Sequence, residues 1–292
     1  MSENILCGDY VSSADIFGLN FIRRTAPYIF RRHYSRGLRS HISWLLRPED
    51  VAKESRGEMH GGIRIYPQAR PVKVLRIFKK HFVSAEELLH ETGRYQMTAA
   101  YLAPENIAES QEFAVTYLSS GGKRILLCGL QDYVSGNVLD PWDDIYWRAD
   151  SDLFRHMKIS CENHFFQKIR SSGRQFIMRV KELAAKKGLI PDLAGIGNIL
   201  LSADGNIKLV DINNVSTVDF GQEIRTDDKG FPVCDKSVEA LALLEEKLLG
   251  SQVSMAEKLY RFYLHPERKA RTMEIIRKKF LPAAEDPDCS DV

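Results

Sequence analysis

Asp192, Asn198 and Asp211 are the residues of this chain whose types and spacing best suit chemistry. They lie in the stretch from Gly188 to Ser216, GLIPDLAGIGNILLSADGNIKLVDINNVS. Phosphoryl transfer asks little of a protein beyond positioning and charge neutralisation. A carboxylate must orient the attacking hydroxyl, and an amide and a carboxylate must hold magnesium against the phosphates. Asp192, Asn198 and Asp211 supply that set in that order.

These side chains need elements to aim them. The apolar runs Ile199 to Leu201 and Ile207 to Val210 flank Ala203-Asp204-Gly205-Asn206, and Asp-Gly between β-prone runs predicts a hairpin. Upstream, Phe176, Ile177, Val180, Leu183 and Ala184 fall at helical spacing over Gln175 to Lys187, with Lys186 and Lys187 suiting the helix C-terminus and Gly188 ending it. Trp142 to Gly173 suggests further helices. Pro71 to Lys80 reads as a strand with Lys73, Leu75 and Ile77 on one face and Val74, Arg76 and Phe78 on the other. Ser84 to Tyr101 reads as a helix opened by a Ser84/Glu87 capping box and carrying Glu91. Phe113 to Leu118 and Lys123 to Leu127 read as paired strands, and Gly61-Gly62 as a turn before Ile63 to Tyr66, able to bring backbone N–H groups against phosphates.

Taken together, these passages resemble the protein-kinase-like superfamily, in which D-L-x-x-x-N, an apolar run, D-G, a second apolar run and D-F-G follow one another. The resemblance implies that Asp192 is the catalytic base, that Asn198 and Asp211 hold Mg2+, and that Lys73 or Arg76, paired with Glu91, fixes the ATP phosphates. The 18 residues from Lys73 to Glu91 suit the usual interval, which favours Lys73. Gly129 to Leu139 is similar to the hinge pattern E-Y-V-x-G-G-x-L, which implies adenine contacts from the backbone around Asp132 and Val134. Asp235 to Glu245 is similar to the helix beginning D-x-x-S-x-G, whose aspartate braces the catalytic loop, although the serine here is one place early.

Three departures stand beside it: Pro191 occupies the usual arginine position, the 192–198 loop is one residue longer, and Asp211-Ile212-Asn213 replaces D-F-G. The implied fold is α+β and bilobal, with an antiparallel β N-lobe carrying one helix, a mainly helical C-lobe and a nucleotide cleft between them. Its expected divisions are a basic arm over 1–50, an N-lobe over 51–130, a C-lobe over 131–282 and an acidic tail over 283–292. The implied activity is ATP- and Mg2+-dependent phosphotransfer. Only 23 residues separate Asp211 from Asp235 and no A-P-E occurs, which points to a small-molecule, sugar or lipid-headgroup hydroxyl rather than an extended peptide. The alternative from another class is a catalytically inactive kinase-like module that binds nucleotide or a partner, and the departures favour it.

Composition bounds the rest. A chain of 292 residues with 44% hydrophobic and 27% charged residues can bury a full core, and its net charge of +2 says little about partners. The charge distribution says more, since residues 20–47 hold seven arginines, two histidines and no acid. Such a stretch could lie peripherally on an anionic membrane surface, with nucleic acid the weaker partner; the favoured reading is a basic arm packed on the domain. Five scattered cysteines indicate neither a disulfide framework nor a zinc site, and no apolar run approaches the ~20 residues that span a bilayer. A cytoplasmic protein, at most peripheral at the inner membrane surface, is the expectation. Met255 to Phe280 reads as a basic helical tail interrupted at Pro266.

Overall fold

The run PVKVLRIFKKHF forms β5 (Pro71–Phe82), the central strand of a five-stranded antiparallel sheet. In the computed structural model, residues 28–33, 39–119, 122–143, 163–212, 214–250 and 252–280 are described. The chain divides into two units, Met1–Arg94 with Ala108–Val134, and Tyr95–Ile107 with Ser135–Val292.

In the first unit β1 (Ile29–Arg32), β2 (Ser40–Leu46), β6 (Ser110–Ser119) and β7 (Gly122–Asp132) join β5 in the order β1-β2-β5-β7-β6. Residues directly opposite across these ladders share a face. Phe30 opposite Leu45, and Ile77 opposite Cys128, therefore close over Leu75 and Leu126 as one buried cluster. Two of these strands fall within the expected basic arm, which corrects that expectation. Leu45 and Leu46 are both buried, and the backbone that carries them pairs with β5. Arg31 is engaged in a two-pronged bond to Glu54 of helix α1 (Pro48–Arg56). The unit thus carries α1 as well as the start of α2 (Ala85–Leu102), where one helix was expected. The Ser84 hydroxyl caps α2 by accepting the Glu87 N–H at 3.1 Å. The capping box is not reciprocal, because the Glu87 carboxylate accepts the N–H of Val83.

β3 (Glu58–His60) and β4 (Ile63–Ile65) form a separate two-stranded ribbon. Gly61 and Gly62 make its turn with φ of 56° and 83°, a left-handed pair that two-residue hairpins demand.

The second unit is built around α3 (Asn163–Lys187), which Gly188 ends at a φ of 63°. Helix α4 (Val233–Leu249) packs on it, and Phe176, Val180, Leu183, Leu241 and Leu244 are fully buried. Pro266 does not merely interrupt the tail, since it begins α6 (Pro266–Phe280) after the short α5 (Lys258–Tyr263). The predicted hairpin is present as β10 (Ile199–Ser202) and β11 (Ile207–Leu209), with β8 (Gly136–Val138) on the other edge of β10. β9 (Leu189–Pro191) pairs antiparallel with β12 (Val215–Thr217). Antiparallel sheets with six helices among the described residues make the architecture α+β in class. No described helix is long and apolar enough to cross a membrane. The acidic tail at 283–292 and most of the helical expectation for 142–173 lie outside the described residues.

Candidate functional site

The β9–β12 ladder sets Val215 opposite Pro191, and the pairing runs one step further because the Asp192 N–H donates to the Asn214 carbonyl at 2.8 Å. Asp192 then turns the chain back on itself. Its Oδ1 accepts the N–H groups of Ala194 and Gly195, each at 3.0 Å, in the way an aspartate opens a turn. Its Oδ2 accepts the Asn214 Nδ2 at 3.0 Å.

Asn198 closes the other end of this loop. Its Nδ2 donates to the Asp192 carbonyl at 2.9 Å, and its own carbonyl accepts the Val210 N–H at 2.8 Å. The second bond ties the residue before Asp211 to the loop that carries Asp192. Gly195 is required by close approach, because a Cβ there would lie 2.3 Å from the Asn198 Nδ2.

Asp192 and Asp211 are both half-buried. Burial pushes the Asp192 carboxyl above the usual carboxylate range, bonds from Asn214, Gly195 and Ala194 oppose this, and the charge of Asp211 adds to the rise. The bonds thus join Asn198 to Asp192 directly and tie Val210, the residue before Asp211, to the same loop. The neighbouring Asn213 lies outside the described residues.

The brace beneath the loop differs from the expectation. Asp235 is 4% exposed and its carboxylate is held by Arg268, through Nε at 2.6 Å and Nη2 at 3.1 Å, and by the Thr272 hydroxyl. Ser237, two residues along α4, takes the bracing position instead, its Oγ accepting the Leu193 N–H at 3.1 Å. The early serine that marked a departure from the family pattern thus lies where a hydroxyl reaches the loop. Ser237→Ala leaves that buried N–H without a partner. An expected destabilisation of ~1–3 kcal/mol follows, measurable as a lowered urea midpoint at constant slope.

The first-unit candidates are arranged differently from the sequence expectation. Lys73 faces Asp132 directly across β5 and β7 and pairs with it, and this bond raises the Lys73 pKa. The expected Lys73–Glu91 pair is not formed. Lys73 is held by its cross-strand neighbour, and Glu91 lies 3.5 Å from Lys80. Arg76 points to the opposite face. It is 3% exposed above Gly129, with Nη2 3.1 Å from the Ser110 hydroxyl and 3.4 Å from Glu112. Residues 129–132 of the expected hinge belong to β7. The Asp132 N–H is spent on the Glu109 carbonyl, so that group is not presented to an adenine edge; Val134 ends the unit two residues on. Gly61 and Gly62 sit in an exposed turn where an added Cβ would meet nothing within 4 Å, so their role is backbone conformation.

Among the described residues no three His, Cys, Asp or Glu side chains are grouped to hold a metal. The residues that would hold Mg2+ on the expected reading are Asn198, whose Nδ2 donates to the Asp192 carbonyl, and Asp211.

Asn214 was not legible as a site residue. It follows Asp211 by three positions, but its importance comes from the β9–β12 register. Neither the models of known protein families nor the curated protein sequences contain a match to this chain.

Proposed function

We propose that this chain is an ATP- and Mg2+-dependent phosphotransferase of protein-kinase-like architecture that acts on a small-molecule, sugar or lipid-headgroup hydroxyl. The observation that carries the reading is the bonded loop from Asp192 to Asn198, with Asp211 tied to it through Val210. Asp192 orients the acceptor hydroxyl and takes up its proton as the hydroxyl oxygen bonds to the γ-phosphorus of ATP and the bond from that phosphorus to the bridging oxygen of the departing ADP breaks. Asn198 and Asp211 hold magnesium, which neutralises phosphate charge when bound. A sheet of five antiparallel strands with α2 between β5 and β6 supports the architectural part. The short segment between Asp211 and Asp235 supports a small acceptor, and the basic 20–47 stretch favours an anionic one near a membrane surface.

The second reading, a nucleotide-binding module without catalysis, is favoured by one observation: Lys73 is occupied by Asp132. Thermal denaturation separates the two. ATP with magnesium is expected to raise Tm more than ATP with a chelator, Asp211→Ala should erase the difference, and ADP should accumulate in the wild type. Equal stabilisation with and without magnesium, and no ADP, would establish the inactive module.

A further inference from the structure

We infer that Asn214 is a positioning residue that locks the Asp192 carboxylate in the orientation needed to receive an acceptor hydroxyl, an inference that rests on the phosphotransfer reading above. An ionised carboxylate offers about four lone-pair sites, two on each oxygen. At Asp192 both sites of Oδ1 are taken by the N–H groups of Ala194 and Gly195, and one site of Oδ2 is taken by the Asn214 Nδ2. One lone pair on Oδ2 is left, and it is the one an acceptor hydroxyl would use.

The terminal torsion of an aspartate is broad and roughly two-fold. The turn bonds at Oδ1 hold one oxygen but leave the plane of the group able to rock about it. Asn214 supplies the second point of attachment from a different segment. Its backbone is itself fixed, since its carbonyl accepts the Asp192 N–H at 2.8 Å and the next residue, Val215, pairs with Pro191. Because Asn214 lies three residues beyond Asp211, the segment that carries the proposed magnesium carboxylate also carries the clamp on the proposed base. A displacement of that segment moves both groups together.

Asn214→Ala and the near-isosteric Asn214→Leu test this in the full chain, with ATP turnover measured at saturating magnesium. The expected result is a fall in kcat approaching ~100-fold, the scale of a small misplacement of a reacting group, with KM for ATP and Tm little changed. A purely structural role would lower Tm, and a binding role would raise KM, without that split. Wild-type-like kcat in either folded variant overturns the positioning role while leaving the phosphotransfer reading standing. Wild-type protein that never turns over ATP overturns both. Should neither variant fold, the side-chain amide spectrum decides. The Asn214 NH2 resonances are expected to move when Asp192 is changed to Asn, and unmoved resonances overturn the inference.

Discussion

Asp192→Asn is expected to abolish phosphotransfer without weakening the fold. A positioned base contributes roughly 10²–10⁴-fold to rate, so kcat should fall on that scale while ATP still binds. The amide keeps an oxygen for the Ala194 and Gly195 N–H groups, and Asn214 can turn its own amide to accept from the new NH2, so the loop retains its bonds. Stability should change in the opposite direction to activity. Burial raises the folded-state pKa of Asp192, so the folded chain binds its proton more tightly than the unfolded chain does. That advantage is complete below the ordinary aspartate value and is lost as pH rises through the raised one. At neutral pH the ionised carboxylate is therefore a cost that Asp192→Asn removes. Urea midpoints should favour the variant near neutrality, and its lead should shrink as the pH is lowered. Turnover within about ten-fold of wild type would remove Asp192 from the base role.

Arg268→Ala should be the most destabilising single change in the second unit. The guanidinium grips both oxygens of Asp235 and donates to the Gly221 carbonyl at 3.1 Å. It also lies over the rings of Phe262 at 4.6 Å and Tyr263 at 4.8 Å. Removing one partner of a buried pair strands the other charge, at a cost of ~3–5 kcal/mol. Asp235 is only 4% exposed, so water can do little to solvate a stranded charge. Replacing both partners by apolar residues of similar volume, as in Asp235→Leu with Arg268→Met, should recover most of the loss, because no uncompensated charge then remains. Chemical denaturation of the two single variants and the double variant measures this directly. A loss of less than ~1 kcal/mol in Arg268→Ala would mean that the pair is screened as a surface pair is. Activity should fall with the first turn of α4, since Ser237 stands two residues from Asp235 and holds the Leu193 N–H.

The sequence by itself determined the local parts of this protein. The β10–β11 hairpin around Asp204-Gly205, the helix ending at Gly188, the Ser84 cap and the order Asp192, Asn198, Asp211 all rest on residues within a few positions of one another. Their turn chemistry and periodicity act before any distant segment arrives. Even the Asp192 turn is local, closed by N–H groups two and three residues away.

Tertiary structure decided everything that depends on which distant residue stands opposite. Lys73 has the side-chain parity predicted for it, but only the pairing of β5 with β7 makes Asp132 its partner. Arg31 reads as a free basic charge in sequence and is bound to Glu54 in the fold. Ser237 in place of Asp235 beneath the loop, and Asn214 against Asp192, follow from the angle of a helix and the register of a ladder. Strand register has a period of two residues and helix contact one of 3.6, so a single step in pairing exchanges one partner for another without any change in the local pattern.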